Sequence, residues 1–174
     1  MAGGKRWAYL NEYQKDASGT YVYTGAYYGI ADDAARKHTY ARLIGCLSLL
    51  TAGVVGSGCF NAAGAGSSFY VILPYIAEVA CLFFLLWNCV RLLLAGRRVK
   101  AYIYQSVSKY IPPASLLLTF FAAAGCACAV VFVILNGFAG GIALCICYFA
   151  LKLCNAALAV LIRRIWASAG FTRL

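Results

Sequence analysis

Glu78 stands inside "VILPYIAEVACLFFLL", residues 71–86, a run that is otherwise apolar. A second apolar run, "CYFALKLCNAAL", holds Lys152. These are the only charges deep within long hydrophobic stretches, and their signs are opposite. On helices, Tyr148 and Asn155 share the Lys152 face at minus four and plus three, while Tyr75 precedes Glu78 by three. The five residues Glu78, Lys152, Tyr148, Asn155 and Tyr75 are therefore the candidate intramembrane polar cluster. Its chemistry has two readings. Glu78 exchanges a proton with Lys152 as counter-charge, making a proton, ion or solute site. Alternatively, the two charges pair to fix helix register, or the Lys152 stem snorkels to a polar surface. The structural reading asks less of the chain, because transport needs more lining polar groups than these. Pairing of either charge with another membrane protein is a further option.

Elements able to hold such residues follow from composition. The 174-residue chain is 64% hydrophobic and 11% charged, with mean hydropathy +0.79. A soluble domain has roughly 25% charged residues. A bilayer span needs about 20 predominantly apolar residues, and four stretches qualify, at about 41–62, 69–90, 114–135 and 140–162. None alternates polarity as a membrane strand would, so helices are expected. Counted inward from the expected external ends, Glu78 lies roughly 13 Å deep and Lys152 roughly 18 Å deep, close enough to meet.

The balance of 15 Lys and Arg against 5 Asp and Glu is explained by position. Lys5, Arg6, Lys15, Arg36, Lys37 and Arg42 precede or open the first span. Arg91, Arg97, Arg98, Lys100 and Lys109 lie between or border the second and third, and Arg163, Arg164 and Arg173 follow the fourth. The connections "AAGAGSS" and "NGFAGG" carry none. Cytoplasmic flanks collect Lys and Arg, so both termini and the central loop are expected in the cytoplasm, with the spans forming two helical hairpins. No nucleic-acid partner is needed to explain the charge. No secretory signal is expected, since "WAYLNEYQKDASG" follows Lys5 and Arg6 where an apolar region should stand; the first span is expected to remain as an anchor. The fold class is an all-α, multi-pass integral membrane protein, with the plasma membrane as its expected location.

Residues 1–38 form a tyrosine-rich cytoplasmic segment, and 39–174 the transmembrane domain. In the first, "WAYLNEY" predicts a short interfacial helix and "TYVYTGAYY" an extended or hairpin-like element around a glycine turn. Asp32 or Asp33 is expected to cap the helix that enters the first span. In the central loop, apolar residues at threes and fours predict an amphipathic helix over 97–111 lying on the membrane surface, ended by Pro112 and Pro113. Arg97, Arg98, Lys100, Lys109, Arg163 and Arg164 form the candidate lipid or partner surface.

Nine cysteines read mainly as small packing residues. Cys126 with Cys128 and Cys145 with Cys147 point apart on a helix, and no Cys-x-x-Cys occurs. His38 has no co-ligands at metal-binding spacing. No HExxH, GxSxG, phosphate loop or Rossmann fingerprint is present, so no catalytic residue, cofactor or metal is assigned. The expected function is a noncatalytic membrane scaffold or accessory subunit, in contact with lipid and with a membrane-protein partner or further copies of itself. The alternatives are a small oligomeric transporter or channel using Glu78 and Lys152 and, third, a membrane-embedded enzyme.

Overall fold

A computed structural model describes residues 12–59, 68–137 and 141–173. It opens with two short strands, β1 (Tyr13–Lys15) and β2 (Tyr21–Tyr23), paired as an antiparallel hairpin, followed by β3 (Tyr27–Gly29). Four helices follow: α1 (Asp33–Cys59), α2 (Phe69–Ala95), α3 (Ala101–Asn136) and α4 (Ile142–Ser168). All four are long and apolar enough to cross a membrane, which makes this an all-α integral membrane architecture with a small strand-built cap. Strand β4 (Val99–Lys100) sits between α2 and α3, and β5 (Thr172–Arg173) follows α4.

Helix boundaries have local causes. Asp32 Oδ1 accepts the Ala34 N–H at 2.9 Å and its carbonyl accepts the Arg36 N–H at 3.0 Å, so Asp32 caps α1, which runs unbroken to Cys59. Helices α2 and α3 each end on a glycine with positive φ, Gly96 (68°) and Gly137 (70°), a conformation that a Cβ would oppose.

Around the bundle, α1 neighbours α2, α2 neighbours α3, α3 neighbours α4, and α4 returns to α1. Helices α2 and α4 thus face each other across a diagonal. Leu47, Leu50, Leu85, Ile111, Leu118 and Ile162 belong to one buried core. Large side chains such as Phe83, Trp87, Phe120 and Ile134 point outward, as expected where the surrounding medium is lipid tails rather than water.

Strand β3 is the centre of a three-stranded sheet, flanked by β4 and β5. Tyr28 pairs with Val99 on one side and Arg173 on the other. The segment leading into α1, the α2–α3 connection and the chain after α4 are thereby tied together at one pole. This sheet was not expected, and the glycine turn was misplaced. The hairpin turns at residues 16–20, where the Gly19 N–H donates to the Asp16 carbonyl at 2.8 Å; Gly25 instead separates β2 from β3. Of the short helix expected over "WAYLNEY", Trp7 and Leu10 lie outside the described residues, and Tyr13 is in a strand.

The central loop also differs from expectation. Residues 97–111 do not form a separate surface helix ended by prolines: Arg97 and Arg98 lie in the turn after α2, β4 follows, and α3 runs from Ala101 straight through Pro112 and Pro113. Burial explains the continuity. Val107, Ile111, Ala114, Leu118, Ala122, Gly125, Ala129 and Phe132 keep steps of three and four across the proline pair, all facing the bundle. That continuous buried stripe outweighs two missing amide bonds, a defect that helices in bundles tolerate.

Candidate functional site

The inward stripe of α4 is Cys145, Tyr148, Lys152, Asn155, Ala159 and Ile162, in alternating steps of three and four. Three of its middle positions are polar. On α2 the stripe runs Val71, Glu78, Leu82, Leu85, Cys89 and Leu92, with Tyr75 half-buried one turn before Glu78. Because α2 and α4 are diagonal, their stripes meet on the bundle axis.

All five predicted residues converge there. Lys152 Nζ donates to Glu78 Oε2, and Asn155 Nδ2 donates to Glu78 Oε1 at 3.2 Å. Both carboxylate oxygens are therefore engaged. Glu78, Lys152 and Asn155 are each 0% exposed. The ammonium lies 5.0 Å from the Tyr75 ring centroid and 5.5 Å from that of Tyr148, where the ring faces favour a cation. Burying either ion alone costs several kcal/mol; here the opposite charge, one amide and two aromatic faces offset that cost.

Two glycines complete the site, and neither was singled out for it from sequence. A Cβ on Gly125 of α3 would sit 3.6 Å from Lys152 Cε, so the lysine stem lies against a helix surface left bare. A Cβ on Gly53 of α1 would collide with Asn155 Oδ1. That oxygen has no hydrogen-bond partner among the described residues and lies directly over the glycine backbone. Every helix therefore reaches the cluster: α1 through Gly53, α2 through Tyr75 and Glu78, α3 through Gly125, and α4 through Tyr148, Lys152 and Asn155.

The predicted basic surface is divided. Arg98, Lys109, Arg163 and Arg164 are exposed. Arg97 is exposed as well, with its guanidinium 3.6 Å from Asp33, which also holds Arg36 at 2.9 Å. Lys100 belongs to the cap instead: its ammonium donates to the Tyr13 hydroxyl at 3.1 Å and lies 5.2 and 5.3 Å from the Tyr13 and Tyr23 ring centroids. Tyr23 donates to Glu12 Oε2 at 2.6 Å and accepts the Ala101 N–H at 3.2 Å. Burial, with the Glu12 carboxylate adding to it, pushes the Tyr23 phenol up to about 12. The Lys100 bond pulls Tyr13 below its ordinary value, and the same bond raises Lys100. Sequence reasoning noted the tyrosines but could not pair residues up to 87 positions apart.

Among the described residues, no three His, Cys, Asp or Glu side chains converge as a metal site. All nine cysteines are free, with Cys89 and Cys145 buried in the packing. Comparison with protein-family models, curated proteins and solved structures returns no match.

Proposed function

We propose that this chain is a noncatalytic integral membrane component, a scaffold or accessory subunit. Its bundle is held in register by the Glu78–Lys152 pair, and its basic cap serves for contact with lipid or a partner. The observation that carries this reading is the state of Glu78: both oxygens are occupied and none of the side chain is exposed. A transported ion or a substrate would need one of those positions. Such enclosed pairs suit a register-fixing role. In this reading the spans form two hairpins. Both termini and the α2–α3 connection face the cytoplasm, as the basic flanks indicate, and the plasma membrane is the expected bilayer. The sheet that joins β3, β4 and β5 supports a common side for the three segments.

The test is proton flux. Full-length protein in liposomes with an imposed pH gradient is expected to leave its decay equal to that of protein-free liposomes, both for wild type and for the Glu78→Gln, Lys152→Met double variant. Decay that wild type accelerates and a folded Glu78→Gln protein abolishes would overturn this reading and make Glu78 the proton-carrying group of a small transporter.

A further inference from the structure

Five cations on the four helices lie toward the sheet-bearing pole: Arg42, Arg91, Lys109, Arg163 and Arg164. Counted along each helix from the end remote from the sheet, Arg42 lies about 26 Å up α1, Arg91 about 33 Å up α2, Lys109 about 40 Å up α3, and Arg163 and Arg164 about 32 to 33 Å up α4. A bilayer has a hydrocarbon core of about 30 Å and spans about 40 to 45 Å with its headgroups. Arg91, Arg163 and Arg164 thus stand in one headgroup layer, and Lys109 a few ångströms beyond its outer edge, within reach of it by its long side chain. Arg42 falls a few ångströms short, a gap its long side chain covers by snorkelling. Arg91 is half-buried and the other four are exposed.

These cations have no acidic partner among the described residues. The acids of that pole point to other groups: Glu12 accepts from Tyr23, Asp16 from the Ala17 N–H, and Asp32 caps α1. Asp33 holds Arg36 and Arg97. No ion pair among the described residues reaches this ring of cations, so its charge is free to meet anions outside the chain.

We infer that this ring selects anionic phospholipids as the annulus around the cap-side end of the bundle. The inference rests on the proposed orientation of the basic pole and names lipid as its partner. The distribution decides between lipid and protein. All four helices contribute a cation within side-chain reach of the headgroup level, so the charge is spread around the bundle, whereas an acidic protein docking on one side would meet only a fraction of it. Phosphate headgroups surround a membrane protein on every side.

Full-length protein in phosphatidylcholine bilayers, probed with spin-labelled phosphatidylglycerol and spin-labelled phosphatidylcholine, reads the preference directly as the motionally restricted fraction of each. The expected association constant for phosphatidylglycerol is about two- to fivefold higher at low salt, since each basic residue near an anionic surface contributes appreciably. Molar salt should bring the ratio close to one. Arg163→Gln with Arg164→Gln, and Arg42→Gln with Lys109→Gln, should each lower the ratio, and the four together should lower it furthest, leaving Arg91 alone of the ring. These are exposed positions, so the variants keep the bundle.

Equal association of both lipids with wild-type protein would overturn the inference, as would a preference left undiminished by all four substitutions. Equal association combined with capture of a soluble polyglutamate peptide by the bilayer-embedded protein would overturn it in favour of an acidic protein partner. None of these outcomes alters proton flux, so failure here is separable from failure of the proposed function.

Discussion

The Glu78 carboxylate on α2 reaches the Lys152 ammonium on α4 across the diagonal of the bundle, and neither side chain has any exposed surface. Residues on diagonal helices meet only at the axis, so this pair fixes the rotation and height of two helices that otherwise touch little. Asn155, one turn beyond Lys152, binds the second carboxylate oxygen. Replacing it with leucine keeps the branched four-atom outline and removes a hydrogen bond to an ion, which contributes about 1.5 to 3 kcal/mol. Asn155→Leu is therefore expected to lower stability by about that amount in detergent unfolding titrations, and an unchanged midpoint would show that the amide adds nothing to the site.

Gly53 is the contact that lets α1 approach Asn155. A methyl group there collides with Asn155 Oδ1, and that amide is anchored by Glu78. Gly53→Ala is expected to cost about 1 to 3 kcal/mol, the range for overpacking a dense interior. In an Asn155→Ala background the collision is gone, so the same glycine substitution should then cost much less. Equal cost in both backgrounds would place the strain elsewhere.

The cap should respond to alkaline pH through Tyr23. The folded chain holds its phenolic proton up to about 12, against an ordinary value of 10.0. Between those values the unfolded chain binds fewer protons, so cap stability falls as pH rises through this window and is fully present below 10.0. The bond that raises Lys100 also lowers Tyr13, so the two linkages of that pair run in opposite directions and the fall across this window belongs to Tyr23. Phenolate absorbance should show a late-titrating tyrosine that Tyr23→Phe removes, and amide protection in β1 and β2, taken relative to the intrinsic base-catalysed rate, should fall across the same interval.

Much of this site is legible in the sequence because two rare charges in apolar surroundings must find partners, and counting depth from the helix ends puts Glu78 and Lys152 within reach. Helical spacing adds Tyr75, Tyr148 and Asn155 without further information. Asp32 is legible as a cap for the same local reason. The glycine contacts are not, because Gly53 and Gly125 matter through what α4 brings against them. Nor is the continuity of α3: Pro112 and Pro113 are strong local breakers, and only burial of Val107 and Ile111 in the shared core reverses their effect. Strands β4 and β5 have two residues each. They carry no periodicity to read, and exist because β3 supplies both edges.

The most direct test of the central claim is a double-mutant cycle on Glu78→Gln and Lys152→Met, measured as unfolding free energies of the full chain under one set of detergent conditions. Each single substitution leaves a buried charge unpaired and is expected to cost about 3 to 5 kcal/mol. The double variant leaves none, and should cost less than the sum of the singles by more than the ~0.5 kcal/mol within which independent sites add. Simple additivity would contradict the account, because it would mean that the two charges do not stabilise the bundle as a pair.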